Sequence, residues 1–230
     1  MACRWAREGR DLSGPAHALG RTTAQMHDAL RRALPVRDDA TPAERAERVL
    51  ATLRERAAAA VAAAPVLAER AERVDAVLAA VAASGDLPPL QRVHGDYHLG
   101  QVLHSDERGW VVLDFEGEPQ ASAAERTRPD LALRDLAGML RSFDYAAAVG
   151  GAGPDWTAAA REALVAGYLA EAADGAAAPG TGSAGGAPLL RALELDKALY
   201  EVVYETRNRP TWVQIPLDGV DRLLTASATG

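Results

Sequence analysis

Apolar and polar residues follow a helical period along most of this chain. From Pro15 to Leu34, the residues Leu19, Thr23, Met26 and Leu30 recur three or four positions apart and define one helix face. Similar patterns cover segments 42–83, 131–149, 155–173 and 188–204. We therefore expect a mainly helical fold.

Local signals divide these helical segments. Thr41 and Pro42 are the residue types that begin a helix, as N-cap and first helical residue. Pro65 is expected to split the long segment 42–83 into two helices, because an interior proline removes a hydrogen bond and clashes with the preceding turn. Segment 174–188 is rich in Gly, Ala and Pro and has few side chains that pack, so it predicts a mobile loop.

The stretch HGDYHLGQVLHSDERGWVVLDFEGEP, residues 94–119, departs from the helical pattern. Its apolar runs Val102–His104 and Trp110–Phe115 have the β-branched and aromatic residues that favour strands. The turn SDERG lies between them, with Gly109 available for a positive φ angle. The stretch therefore predicts a β-hairpin, preceded by a short extended run at Leu90–Val93.

Charge and composition narrow the function. The net charge is −7 and the Arg residues are dispersed among Asp and Glu, so no basic face for nucleic acid is expected. With one cysteine, the chain has neither a disulfide framework nor a cysteine metal cluster. No apolar run is long enough for a transmembrane helix, and no apolar leader opens the chain. The prediction is a cytoplasmic protein without a membrane or nucleic-acid partner.

Three polar residues of the hairpin region are candidates for chemistry. Asp96 follows an apolar run, Gln101 lies five residues later, and Asp114 lies thirteen residues after that. A hairpin brings its two ends together, so Gln101 and Asp114 are expected to be neighbours. Carboxylate and amide oxygens are hard ligands that suit Mg²⁺. The spacing also resembles that of a phosphotransferase, in which an Asp acts as catalytic base and an amide and a second Asp hold the metal.

The histidines of this region fit a zinc site poorly, since His94 and His98 share a tight turn that gives no tetrahedral set. We expect His94 to be a hydrogen-bonded turn residue. His98 either contacts phosphate or braces the loop. Glu116 either faces the metal, or supports the metal ligands from behind, or is a solvated side chain.

The same residues resemble a known family. HGDYHLGQVL and WVVLDFEGEP are similar to the signature of the actinobacterial maltokinases, within the aminoglycoside-phosphotransferase and choline-kinase-like group. The resemblance extends to LGRTTAQMHDAL, LRDLAGMLRSFDYAA and LDKALYEVVYETRNRPTWVQIPL. It implies transfer of the ATP γ-phosphoryl group to maltose, giving maltose 1-phosphate for glycogen and α-glucan synthesis. Carried over by position, it makes Asp96 the catalytic base, and Gln101 and Asp114 the Mg²⁺ ligands.

The family likeness also suggests residues for recognising the sugar. We expect these polar and aromatic side chains to come from one helix and from the end of the chain: Arg134, Asp135, Arg141, Asp144, Glu201, Tyr204, Arg207 and Trp212.

The resemblance implies the C-terminal lobe of a protein-kinase-like fold. Residues 1–14 are expected to be a remnant of the inter-lobe linker. Residues 15–230 are expected to be the lobe, with its catalytic loop at 94–101 and its metal-binding hairpin end at 113–118. The one lysine is Lys197, in a C-terminal helix, and no Gly-rich strand pattern precedes residue 94. The N-terminal ATP-binding lobe is therefore expected to be absent, and association with such a lobe or with a trehalose synthase-type enzyme is a further expectation.

Two other hypotheses remain open at this point. A related small-molecule kinase would keep the fold but phosphorylate an amino sugar, an aminoglycoside or another sugar. A non-catalytic lobe would bind a sugar or a partner enzyme without transferring phosphate.

Overall fold

The computed structural model describes residues 1–36, 40–83, 87–115, 117, 122, 127–174 and 186–225. Its helices and strands follow one another along the chain: α1 (Ala2–Arg7), α2 (Ser13–Ala33), α3 (Pro42–Ala63), α4 (Ala71–Ala83), β1 (Val102–Ser105), β2 (Gly109–Val112), α5 (Leu133–Gly150), α6 (Pro154–Asp174), α7 (Gly186–Asn208) and α8 (Gln214–Thr225). Short 3₁₀ helices cover Pro65–Arg70, Leu99–Gln101 and Pro210–Trp212. The fold is mainly helical with a two-stranded sheet, as the sequence predicts.

The helix boundaries follow the local signals. The Thr41 hydroxyl accepts from the Glu44 backbone N–H, and the Glu44 carboxylate accepts from the Thr41 N–H, which forms a capping box at the start of α3. Helix α3 ends at Ala63, and the 3₁₀ helix that follows begins at Pro65, so the predicted division at this proline is confirmed. Residues 175–185 of the predicted mobile loop lie outside the described residues.

The predicted hairpin forms, but its second strand is shorter than expected. Strands β1 and β2 are antiparallel, with Val102 opposite Val112 and Leu103 opposite Val111. Gly109 has the positive φ of 67° that the turn needs. Strand β2 ends at Val112 rather than at Phe115, because Asp114 adopts a φ of 56°, which is incompatible with a strand.

The extended run predicted at Leu90–Val93 is not a full strand. Only Gln91 pairs, in a single antiparallel bridge with Asp130. The buried Gln91 side chain also donates from Nε2 to the His27 carbonyl oxygen at 3.0 Å.

The chain divides into two compact units. The first unit holds Met1–Asp38 and Leu90–Gly182, and the second holds Asp39–Pro89 and Ser183–Gly230. The boundary predicted at residue 14 does not coincide with a boundary of either unit. Helix α1 belongs to the first unit, where Trp5 is buried. No helix within the described ranges has the length and apolar character needed to cross a membrane.

In the second unit, helices α3, α4, α7 and α8 bury an aliphatic core that includes Leu53, Val74, Leu193 and Val220. The Arg70 guanidinium donates from Nε and Nη2 to the Asp221 carboxylate at 2.8 and 2.7 Å. This forked ion pair lowers the pKa of Asp221, and it ties the 3₁₀ helix before α4 to α8.

In the first unit, two glycines let helices α2 and α6 approach closely. A Cβ atom at Gly20 would overlap the carbonyl oxygen of Leu164, and one at Gly167 would overlap the carbonyl oxygen of His17. The absence of side chains at these positions therefore permits backbone contact between the helices. This close approach brings Tyr168 of α6 against His27 of α2, with ring centroids 5.6 Å apart.

We expect Gly20→Ala to destabilise the protein by about 1–3 kcal/mol, because the new methyl group meets a rigid carbonyl and the helices must separate. Gly14→Ala in the same helix is the matched control. A Cβ at Gly14 meets nothing within 4 Å, so this change should be neutral or slightly stabilising. Urea unfolding of both variants measures the difference, and equal stabilities would contradict the packing argument.

Candidate active site

Helix α5 holds the loop that contains Asp96 along one of its faces. The Asp135 carboxylate accepts from the backbone N–H groups of His94 and Gly95 at 2.8 and 2.9 Å. The Leu99 N–H, at the other end of the loop, donates to the Ser142 hydroxyl at 3.2 Å. Between them, a Cβ atom at Gly138 would lie 2.7 Å from the Tyr97 carbonyl oxygen. Because positions 135, 138 and 142 share a helix face, one helix fixes the whole loop.

His94 joins this loop to the end of the hairpin, in the structural role expected for it. Its buried ring donates from Nε2 to the Leu113 carbonyl oxygen at 2.7 Å, and its Nδ1 accepts from the Asp96 N–H at 3.3 Å. Tyr97 and Phe115 pack against the same ring, with centroids 5.2 and 5.1 Å away. The position of the Asp96 backbone is therefore coupled to the position of Asp114, next to Leu113.

Asp96 lies in the bend after Gly95, whose φ of 88° is in the region that favours glycine. Its side chain is 15% exposed. The structure thus places one partly accessible carboxylate on a loop that α5 anchors at both ends. This is the arrangement expected for a positioned base, since a catalytic side chain needs a rigid support.

His98 braces the loop on the other side of Asp96. Its Nδ1 accepts from the Gly100 N–H at 2.9 Å, which caps the 3₁₀ helix Leu99–Gln101. Its Nε2 lies 3.9 Å from the Asp96 carboxylate. Of the two roles considered for His98, this geometry fits the brace, and it leaves phosphate contact as a prediction.

Gln101 and Asp114 lie side by side at the open end of the hairpin, opposite its turn. The Leu113 N–H donates to the Gln101 carbonyl oxygen at 2.9 Å, which extends the pairing beyond the strands. The Gln101 side chain donates from Nε2 to Asp114 Oδ2 at 3.2 Å. Among the described residues, Asp114 is the only non-glycine residue with a positive φ. Such unusual backbone geometry is often found at functional sites.

This pair fits a magnesium ion by the nature of its donors. An exposed carboxylate and an amide side chain are hard donors, and Mg²⁺ is usually bound by one or two protein carboxylates together with water and phosphate oxygens. The described residues contain no group of three or more His, Cys, Asp or Glu side chains placed to hold a metal. A self-sufficient protein cage is therefore not formed by them, and Glu116 lies outside the described residues.

Aromatic contacts hold the hairpin against the N-terminal helices. The Trp110 indole donates from Nε1 to the Pro15 carbonyl oxygen at 2.8 Å. The His104 ring lies between Trp110 and Trp5, with centroid distances of 4.8 and 6.1 Å. The strand that leads to Asp114 is therefore anchored near its start, at Trp110.

Behind the loop, Asp135 forms the centre of a buried polar network. Its Oδ2 accepts from His27 Nε2 at 3.0 Å, in addition to the two backbone N–H groups of the loop. Burial alone raises the pKa of this carboxyl, but the hydrogen bond and charge of His27 and the two N–H groups hold it below its ordinary value of 3.8. Asp135 is thus an ionised anchor.

The other predicted substrate residues of α5 are engaged in ion pairs. Arg134 pairs with Asp130 at 2.6 Å, and Arg141 with Asp144. Arg161 of α6 joins the second pair, 3.4 Å from Asp144.

The burial of Asp135 and Arg141 does not favour the substrate role predicted for them from sequence, and that role stays a prediction. Both residues are buried, with 2% and 1% exposure. The partner of Asp135 is His27, and the partner of Arg141 is Asp144. Contact with a sugar would need an accessible side chain. Arg134 and Asp144 are less buried, and for them substrate contact remains a prediction.

The four remaining predicted substrate residues lie in the second unit. There the Arg209 guanidinium stacks over the rings of Tyr204 and Trp212, 5.6 and 4.7 Å from their centroids. A forked ion pair with the buried Glu205 fixes Arg209. Glu201 is half-buried and Arg207 is exposed on the same helix. The structure thus brings Tyr204 and Trp212 together around Arg209, a residue that the sequence analysis did not predict.

Three further contributors escaped the sequence analysis: His27, Tyr97 and Arg209. His27 lies four residues after Thr23, on the face predicted to be apolar, and a polar residue at such a position was the available signal. Tyr97 donates its hydroxyl to Thr23 at 3.0 Å, since the Thr23 hydroxyl itself donates to the Leu19 carbonyl. Arg209 follows Glu205 by four residues, a spacing that predicts a helical ion pair.

The loop carboxylate and the amide–carboxylate pair resemble the arrangement expected of a phosphotransferase. The chain belongs to the phosphotransferase enzyme family APH, whose family model matches residues 6–180. It is 35% identical over 215 residues to the glucosamine kinase of Streptacidiphilus jiangxiensis, covering 88% of this chain and 47% of that protein. It is also 35% identical over 154 residues to the glucosamine kinase of Mycolicibacterium smegmatis, covering 63% of this chain and 37% of that protein.

The comparison with solved structures also finds glucosamine kinases. A glucosamine kinase in complex with glucosamine, ADP and inorganic phosphate matches with a TM-score of 0.78 and 30% identity, covering 97% of this chain and 55% of that one. The chain therefore spans between 37% and 55% of the length of these relatives. The comparisons support the wider family expected from sequence, but they do not support the narrower maltokinase assignment.

Proposed function

We propose that this chain carries the phosphate-acceptor part of an ATP-dependent sugar kinase whose acceptor is an amino sugar of the glucosamine type. The observation that carries the proposal is the 35% identity to a glucosamine kinase over 88% of the chain, together with a half-buried Asp96 beside the hairpin that ends in Asp114. The alternative of an amino-sugar acceptor, left open by the sequence, thus replaces maltose as the favoured substrate.

In this proposal Asp96 is the general base. It accepts the proton of the acceptor hydroxyl while that oxygen forms a bond to the γ-phosphorus of ATP. The bond from this phosphorus to the bridging oxygen breaks, and ADP leaves with the electron pair. The loop contacts of Asp135 and Ser142 keep Asp96 in place during the transfer.

Gln101 and Asp114 would hold Mg²⁺. The ion, when bound, neutralises charge on the phosphate groups. The two residues are suited to this because the hairpin fixes their backbones against each other and Asp114 is exposed. Both lie within two residues of an exposed apolar side chain, Leu103 or Leu113.

That apolar surface supports the nucleotide part of the proposal. Leu103 and Val111 lie opposite each other in the sheet and are 60% and 42% exposed, and Leu113 follows at 36%. Exposed apolar side chains next to the proposed metal site suit the base of a nucleotide, since adenine presents two apolar faces.

For the sugar, we propose the candidates that the family likeness suggests in the second unit, Glu201, Tyr204 and Trp212. Sugar rings stack on aromatic faces, and an amino sugar is cationic near neutral pH, so a carboxylate favours it over a neutral sugar. Maltose has no cationic group. A comparison of the two sugars as acceptors can therefore test the proposal.

The test is phosphoryl transfer from ATP with Mg²⁺, with glucosamine, glucose, maltose or an aminoglycoside as acceptor. Products are identified by mass spectrometry and ³¹P NMR. Each reaction uses the chain alone, and the chain joined to the segment of the Streptacidiphilus enzyme that it does not span. We expect the joined protein to prefer glucosamine to maltose by at least about tenfold in kcat/KM.

Preference for maltose would contradict the amino-sugar assignment and restore the interpretation drawn from the sequence resemblance. Preference for the aminoglycoside would place the protein with the antibiotic-modifying members of the group. A folded protein that transfers phosphate to none of the four acceptors would support the non-catalytic lobe.

A further inference from the structure

The one-turn 3₁₀ helix before β1 has all three of its backbone N–H groups in hydrogen bonds. The Leu99 N–H donates to the Ser142 hydroxyl at 3.2 Å, and the Gln101 N–H donates to the His98 carbonyl oxygen at 2.9 Å. The Gly100 N–H donates to Nδ1 of the His98 ring at 2.9 Å. His98 therefore caps this turn with its side chain as well as with its backbone.

The same turn carries Gln101, the amide member of the proposed metal site. The Gln101 carbonyl oxygen accepts from the Leu113 N–H at 2.9 Å, and its side chain donates from Nε2 to Asp114 Oδ2 at 3.2 Å. A side chain that holds a metal must present its oxygen in a fixed direction, and the groups around a ligand set that direction. The hydrogen bonds of the turn are thus the support of the amide–carboxylate pair.

The His98 ring and Gly100 fit closely against each other. A Cβ atom at position 100 would lie 2.6 Å from Cε1 and 2.9 Å from Nδ1 of the ring, so a larger residue there would displace the ring from the N–H that it caps. A backbone N–H only donates, which requires that His98 Nδ1 carry no proton. The capping ring is therefore neutral, with its proton on Nε2.

We propose that His98 is a positioning residue for the metal site: its ring caps the turn and so directs the Gln101 side chain to the place beside Asp114 where it binds a divalent cation. The inference rests on the proposed function, in which these two residues hold Mg²⁺. It differs from a phosphate contact by the atom that acts. A cap uses Nδ1 as an acceptor, whereas a phosphate contact uses the Nε2–H as a donor.

This difference selects the variants. His98→Asn keeps a capping acceptor, because Asn is among the best capping residues, but it has no group at the distance of Nε2. His98→Ala has neither group. Gly100→Ala keeps the histidine and removes the cap by displacing its ring. The controls are His17→Ala, which removes an exposed histidine of α2, and Gly153→Ala, whose new methyl group meets nothing within 4 Å.

The first measurement needs no metal. Two-bond ¹H–¹⁵N correlation spectra of the full chain in mildly alkaline buffer should show a neutral His98 with its proton on Nε2. Protection of the amide at position 100 against hydrogen exchange should fall about fivefold in His98→Ala and in Gly100→Ala, and His98→Asn should restore it. A native His98 protonated at Nδ1, or unchanged protection in His98→Ala, overturns the proposal.

The second measurement uses Mn²⁺ as the probe, because it takes the same hard ligands as Mg²⁺ and broadens the NMR signals of nearby residues. In the native chain we expect broadening at Gln101 and Asp114. The apparent affinity for Mn²⁺ should fall about tenfold in His98→Ala and in Gly100→Ala, and the double variant should lose no more than either, because both changes remove one cap. The two controls should keep the native affinity.

His98→Asn separates the two roles of the ring, since it should recover the affinity for Mn²⁺ to within about twofold of the native chain. A loss in His98→Asn as large as that in His98→Ala would assign the role to Nε2 and overturn the cap. Additive losses in the double variant, or a native chain without broadening at Gln101 and Asp114, would overturn it as well.

Turnover distinguishes this inference from the proposed function. If the joined protein phosphorylates none of the acceptors, the proposed function fails, while the exchange and Mn²⁺ results still decide the role of His98. In a joined protein that transfers phosphate, His98→Ala should raise the Mg²⁺ concentration for half-maximal rate about tenfold and leave KM for the acceptor nearly unchanged. An unchanged Mg²⁺ requirement with a raised KM for the acceptor would contradict the positioning role.

Discussion

Asp96→Asn is expected to lower phosphoryl transfer by about 10²–10⁴-fold in the joined protein, because an amide has the shape of the carboxylate but cannot take the proton of the acceptor hydroxyl. Stability should hardly change. His98 Nε2 lies 3.9 Å from the Asp96 carboxylate, too far for a strong ion pair. The measurement is the rate of sugar phosphate formation, together with a urea unfolding curve.

The matched control is Asp106→Asn, at the exposed turn of the hairpin between β1 and β2. It makes the same chemical change within ten residues of Asp96, and it should leave turnover unaltered. If Asp96→Asn keeps more than about a tenth of the native rate, then general-base catalysis by this residue is excluded as the main source of acceleration.

Asp135→Asn is expected to lower the free energy of unfolding by about 2–4 kcal/mol. The native carboxylate accepts from His27 Nε2 and from two backbone N–H groups. An Asn side chain offers one oxygen to these three donors and turns its own NH₂ group against the rest. Urea titration of the native protein and the variant measures the difference.

The pH dependence gives this prediction a second readout. The pKa of Asp135 is lower in the folded state than in the unfolded chain, so the unfolded chain binds more protons in that range. The stabilisation is therefore complete above the ordinary value of 3.8 and is lost as pH falls below it toward the folded pKa. The variant should lack this part of the acid dependence.

Asp155→Asn serves as the control, since Asp155 is exposed in the first turn of α6. A change of less than about 1 kcal/mol is expected there. Equal losses at positions 135 and 155 would argue that Asp135 has no special anchoring role.

The secondary structure was largely predictable because its signals are local. Thr41, Pro42 and Pro65 act through the backbone of their own turns, and the structure has the capping box and the helix break that they predict. The hairpin was predictable for the same reason, as a turn between two short apolar runs. Strand β2 was predicted too long, because a pattern of apolar residues does not reveal the positive φ of Asp114.

The juxtaposition of Gln101 and Asp114 also followed from the sequence, since pairing in a hairpin is a matter of counting residues from a turn. The acceptor did not follow. The resemblance to maltokinases rests on short motifs, and the comparisons support glucosamine kinases as relatives. A sugar site is assembled from residues far apart in sequence, and short motifs around the phosphate site carry little information about it.

Asp135 shows the limit most clearly. In the sequence it is one of several charged residues in LRDLAGMLRSFD, and nothing local separates an anchor from a substrate contact. Its role depends on His27, 108 residues earlier, and on the N–H groups of a loop 40 and 41 residues earlier. Tyr168 reaches the same network only because Gly20 and Gly167 let α2 and α6 touch.

The sequence alone was therefore sufficient for the helices, the hairpin and the candidate residues Asp96, Gln101 and Asp114, because caps, turns and spacing act over a few residues. Only the tertiary structure assigned Asp135 to the support of the loop and identified His27 and Tyr168 behind it. Buried hydrogen bonds between distant helices depend on three-dimensional packing, and a carboxylate becomes an anchor or a ligand according to which donors that packing brings to it.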